Sequence, residues 1–68
     1  MIILKKLNGA EFTVNCDMIE TIQENPDTTI RLTNGNVYIV AESMREVIDL
    51  TAEYRRRVYA NIITEINK

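Results

Sequence analysis

Sixty-eight residues that are 46% hydrophobic, with a net charge of −2, one cysteine and no histidine, describe a single small domain. A chain of this size removes only about three-fifths of its unfolded surface from water, so its core needs a supplement. One cysteine cannot close an internal disulfide and, without histidine, offers no zinc set, which leaves self-association; the scattered Lys and Arg give no broad positive field for nucleic acid or anionic lipid.

The opening residues, Met1-Ile2-Ile3-Leu4-Lys5-Lys6, place apolar positions before the charges and carry no small-residue cleavage site, so they do not resemble a secretory signal. No apolar stretch approaches the roughly 20 residues of a membrane-spanning helix. The expected location is the cytoplasm, with no membrane insertion.

Two β-hairpins are then spelled out, Leu4 to Val14 and Ile30 to Val40, each turning at an Asn-Gly pair. Such a pair between alternating apolar runs is the strongest short-range hairpin signal, because a two-residue loop needs positive φ at both central positions and these types reach it cheaply. With Asn8-Gly9 as a two-residue loop, Leu7 faces Ala10, Lys6 faces Glu11, Lys5 faces Phe12 and Ile3 faces Val14. Ile3, Leu7, Ala10, Phe12 and Val14 then share one side, on which Lys5 is a misfit. The same pairing about Asn34-Gly35 sets Leu32 opposite Val37 and Ile30 opposite Ile39 inside, with Arg31 opposite Tyr38 and Thr33 opposite Asn36 outside. Between the hairpins, Asn15-Cys16-Asp17-Met18 reads as a tight connection and Ile19 to Gln23 as a short strand whose register stays open. Asn25-Pro26-Asp27-Thr28 reads as a type I turn with Pro26 at the position suited to a fixed φ.

From Ser43 the period changes to between three and four. Ser43 and Glu46 form a capping box, and Met44, Val47, Ile48, Thr51, Tyr54, Val58, Tyr59, Ile62 and Ile66 fall on one stripe of a helical wheel. The predicted organisation is a single domain over 1–68. A hairpin sheet of residues 1–42 is packed by one long C-terminal helix of residues 43–67, an α+β fold. About 36 Å of helix exceeds what four or five short strands need for cover, so its far end overhangs. Val58, Tyr59, Ile62, Ile63 and Ile66 on that overhang are the expected interface of a homo-oligomer, a dimer or trimer. The β-branched isoleucines weaken helix propensity there and leave a frayed end or a late strand open.

No constellation of side chains amounts to a reactive site. Histidine, the usual acid–base group at neutral pH, is absent, and the acidic residues sit where turns, caps and solvated faces call for them. Cys16 reads as filler. Catalytic residues, cofactor and metal are all expected to be none. Arg55-Arg56-Arg57 points three ways around a helix and, with Asp49 and Glu53 close by, reads as a solvated, ion-paired face. Tyr38 beside Arg31 reads as a cross-strand cation–π pair, with a base-stacking platform as the alternative.

In order and spacing, Met1-Ile2-Ile3-Leu4, Leu7-Asn8-Gly9-x-Glu11-Phe12-x-Val14-Asn15, Ile19-Glu20-x-Ile22, Pro26-Asp27-Thr28, Ile30-x-Leu32-Thr33-Asn34-Gly35, Glu42-Ser43, Glu46-Val47-Ile48 and Tyr54-Arg55-Arg56 resemble the FlbD family of small flagellar proteins, over about residues 1 to 57. The resemblance implies a cytoplasmic bacterial protein that supports swarming and the power of the flagellar motor. It brings no catalytic residues, and the matching positions are those already assigned to turns, core and cap. The function expected is therefore a non-enzymatic motility accessory that binds other proteins, with flagellar motor or stator proteins as partners. The alternative is a small oligomeric RNA-binding regulator using Lys5, Lys6, Arg31, Tyr38 and Arg55 to Arg57. The net negative charge speaks against that alternative, which would show as strongly salt-dependent binding to bulk RNA.

The tail expectation has a direct test: Ile62→Asp, alone or with Ile66→Asp, lowers the particle mass seen in solution scattering. An unchanged mass would show that the tail is not the interface.

Overall fold

Both Asn-Gly pairs do turn hairpins, but each loop has three residues rather than two. In this computed structural model, which describes the backbone of residues 1–66 and the side chains of residues 1–60, the Lys6 N–H donates to the Ala10 carbonyl at 2.9 Å and the Gly9 N–H to the Lys6 carbonyl at 2.9 Å. The second hairpin repeats the pattern: the Leu32 N–H donates to the Asn36 carbonyl at 2.8 Å and the Gly35 N–H to the Leu32 carbonyl at 3.0 Å. Gly9 and Gly35 have φ of 89° and 92°, and among the described residues no other type has positive φ. The two-residue turn would need positive φ at Asn8 and Asn34 as well. Instead each Asn turns its side chain to the backbone, its Oδ1 accepting the amide two residues on, Ala10 at 2.9 Å and Asn36 at 3.0 Å. A tight turn followed by a left-handed glycine makes a bulged three-residue loop.

One added loop residue moves every cross-strand pair by one. In the first hairpin, β1 (Ile2–Lys5) pairs with β2 (Glu11–Val14) as Ile2 with Val14, Leu4 with Phe12 and Lys5 with Glu11. In the second, β4 (Thr28–Leu32) pairs with β5 (Val37–Val40) as Thr28 with Val40, Ile30 with Tyr38 and Arg31 with Val37. A slip of one exchanges the faces of a strand. Ile2, Leu4 and Val14 are therefore buried, with Phe12 packed against them, while Ile3, Leu7 and Ala10 are exposed; this corrects the expected inner set. Lys5 ceases to be a misfit because it points outward opposite Glu11. In the second hairpin Ile30, Leu32 and Val40 are buried and Tyr38 packs on the core, while Val37 and Ile39 face out.

After a 3-10 turn at Cys16–Met18, β3 (Ile19–Glu24) adds to β4. Ile19 lies opposite Leu32 and Ile22 opposite Ile30, and a bulge between Ile19 and Thr21 takes up Glu20. That extra residue brings two isoleucines three apart onto the same inner side. The turn after β3 also departs from expectation: the Asn25–Pro26 peptide is cis, whereas a type I turn with Pro26 in its second position is trans.

The five strands form two antiparallel sheets, β1–β2 and β3–β4–β5. They meet at a single bridge between Lys6 and Val40, where the Ala41 N–H donates to the Lys5 carbonyl at 2.7 Å. The Glu42 carboxylate closes this junction, accepting the Lys5 N–H at 3.0 and 3.1 Å. Helix α1 (Met44–Ile66) starts immediately beyond it. Its capping box is complete: the Ser43 Oγ accepts the Glu46 N–H at 3.1 Å and the Glu46 carboxylate accepts the Ser43 N–H at 3.2 Å. Glu24, at the end of β3, accepts the Met44 N–H at 2.7 Å, so a strand end also caps the helix.

α1 lies against β1 and β3. Val47 is fully buried there, and Thr51 and Tyr54, one and two turns on, are half-buried. Every described side chain from Arg55 to Ala60 is exposed, so the helix outruns its seat as its length predicted. The chain measures 46 × 23 × 18 Å.

Substitutions on β1 separate the two registers. Leu4→Ala, which empties a site with 0% exposure, should cost about 2–5 kcal/mol of unfolding free energy, whereas Ile3→Ala, at 58% exposure, should cost less than about 1 kcal/mol by chemical denaturation. The opposite ranking would restore the two-residue loop.

Candidate functional site

The inner surface is committed to packing. Cys16 is buried in the 3-10 turn, which Asn15 caps by accepting the Asp17 N–H at 3.1 Å. Among the described residues no group of three or more His, Cys, Asp or Glu is placed to hold a metal ion. No buried side-chain nitrogen or oxygen among them lacks a hydrogen bond. What the fold presents is its outer surface.

The register shift moves Tyr38 away from Arg31. Its ring packs against Phe12, with centroids 5.2 Å apart and planes inclined by 37°, and the Lys6 ammonium lies 5.8 Å from the Phe12 centroid. The cation–π contact expected for Arg31 with Tyr38 is thus replaced by Lys6 on Phe12. The Tyr38 ring is taken up by core packing, which leaves no base-stacking platform beside Arg31. Arg31 itself stands opposite Val37 on the outer face of β4.

The basic run on α1 is ion-paired, with Glu53 as its neighbours suggested but with Asp17 in place of Asp49. Arg55 reaches Asp17 at 3.2 Å, Arg56 reaches Glu53 at 3.3 Å and Arg57 reaches Glu53 at 3.2 Å. Glu53 is about half exposed and the other four side chains more so, and each pair therefore contributes no more than about 1 kcal/mol. Arg55 does tie α1 to the 3-10 turn beneath it. The basic residues of the RNA alternative are dispersed: Lys5 opposite Glu11, Lys6 on Phe12, Arg31 on β4 and the three arginines on carboxylates.

The exposed apolar side chains among the described residues include three groups, besides Met1, Met44 and Ile48. On α1, Val58 is 39% and Tyr59 67% exposed; Ile62, Ile63 and Ile66, which complete the expected tail interface, lie outside the described side chains. On the sheet, Leu7, Val37 and Ile39 are all about half exposed and line one groove along the turn of the first hairpin and β5. Between β1 and α1, exposed Ile3 and Leu50 lie in a groove of about 550 Å³ whose other lining residues are Glu42, Glu46, Asp49 and Glu53. The last two features were missed by the two-residue register. Residue parity was the signal: Ile2, Leu4, Phe12 and Val14 are all even-numbered, as are Ile30, Leu32, Tyr38 and Val40, and only an odd-length loop brings two even sets onto one face.

Among the described residues no helix is long and apolar enough to cross a membrane. Compared with known proteins, residues 1–59 match the family FlbD, described as flagellar and swarming motility proteins. No curated protein and no solved structure matches the chain.

Proposed function

Because the chain belongs to the FlbD family of flagellar and swarming motility proteins, we propose that it is a non-enzymatic accessory of the flagellar motor, acting in the cytoplasm by binding other proteins. The observation that carries this reading is the family match over residues 1–59, which takes in all five strands and the part of α1 seated on them. The chemistry of the surface agrees with it. A small domain that leaves Ile3, Leu7, Val37, Ile39, Leu50, Val58 and Tyr59 open to water has apolar area to cover, and proteins cover such area by association.

Self-association through the overhang of α1, with Val58 and Tyr59 at its described start, supplies the additional burial that a chain of 68 residues lacks. The partner is a stator or other motor-associated protein, and the effect of binding is greater motor power. Removing the gene from its host should lower the torque of tethered, rotating cells and slow swarming. Undiminished torque and swarming in the deletion strain would refute the proposal.

A further inference from the structure

We propose that the groove between β1 and α1 is a docking site for a basic, amphipathic segment of a partner protein. The inference rests on the protein-binding reading above and adds the chemistry of what is bound. Two independent consequences of the fold meet in this groove. The bulged first hairpin turns Ile3 outward on β1, and the seating of α1 on Val47, Thr51 and Tyr54 leaves Leu50 at the flank of that stripe, 38% exposed, in the same groove as Ile3. Alongside them lie Glu42, at the sheet junction before the helix, and Glu46, Asp49 and Glu53, which are spaced by three and four residues on one face of α1.

Their charges are unequally answered. Glu53 faces both Arg56 and Arg57. Glu42 and Glu46 accept backbone N–H groups, from Lys5 and Ser43, and have no ion-pair partner among the described residues. Asp49 has no ion-pair partner among the described residues. Three carboxylates without a cationic partner among the described residues stand beside two exposed aliphatic side chains, a negative rim next to apolar area. A helix or strand with Lys or Arg flanking an aliphatic anchor complements both at once, as amphipathic segments do in grooves of this kind. Acidic peptides, nucleic acid and anionic lipid are repelled. A second copy is less suited, because the chain carries a net charge of −2.

The test is an NMR titration of the isotope-labelled full-length protein with a synthetic amphipathic peptide of leucine and lysine, and with its leucine–glutamate counterpart. The lysine peptide should shift the amides of Ile3, Asp49 and Leu50 most and bind more weakly as salt rises; the glutamate peptide should not bind. Asp49→Lys, which breaks no hydrogen bond, and Leu50→Asp should each weaken binding by about tenfold or more, while Glu20→Lys, on the bulge of β3, should leave it unchanged. Equal weakening by Glu20→Lys, or shifts centred on another surface, would overturn the groove in favour of attraction by net charge. In cells, a deletion that impairs motility together with an Asp49→Lys strain that swarms normally would also overturn the groove while leaving the motility reading intact.

Discussion

The position of one glycine in each hairpin decides what this protein buries. With Gly9 and Gly35 at positive φ as the third loop residue, both hairpins have odd loops, and the even-numbered residues of β1, β2, β4 and β5 turn inward together. Neither glycine has an atom within 4 Å of where a Cβ would stand, so it is the backbone angle, and not space, that calls for glycine there. Leu4, Ile30 and Val40 become a fully buried set that Val47 of α1 completes, and Phe12 and Tyr38 pack at its margin. The same parity sends Ile3, Leu7, Val37 and Ile39 outward.

The second constraint is the junction of the two sheets. Each sheet is too small to stand alone, and their contact is one bridge reinforced by the Ala41 N–H on the Lys5 carbonyl and by Glu42 on the Lys5 amide. Helix α1 leaves directly from this point with both its capping box and Glu24 holding its first turn. Its direction is therefore set where the sheets meet, and Arg55 on Asp17 holds it two turns beyond Val47. Past that contact the described side chains of the helix, Arg56 to Ala60, are exposed. The inner surface gives stability, and the outer surface carries the exposed apolar side chains.

Much of this was legible in the sequence. The two hairpins, the Ser43–Glu46 capping box, a helix starting at Met44 and running beyond its sheet, and the solvated character of Arg55 to Arg57 each follow from local chemistry that tertiary structure does not override. Register was not legible from the turn residues, since Asn-Gly suits both loop lengths: in one the Asn takes positive φ, in the other its side chain accepts the amide two residues on. The bulge at Glu20 hid the strand period by spacing Ile19 and Ile22 three apart. Glu42 on Lys5 and Glu24 on Met44 join residues far apart in sequence, and no local pattern announces them. The errors in the expected site follow from the register alone, which is why Tyr38 was placed outside and Ile3 inside.

The chain belongs to the FlbD family of flagellar and swarming motility proteins, and its exterior carries Ile3, Leu7, Val37, Ile39 and Leu50 exposed. Everything about that exterior depends on the odd-length loops, and cross-strand proton–proton contacts measured by NMR in solution read them directly. Leu4 should face Phe12, and Ile30 should face Tyr38. Contacts pairing Leu4 with Thr13 and Ile30 with Ile39 would exchange the inner and outer faces and contradict the structure on which the interaction surfaces rest.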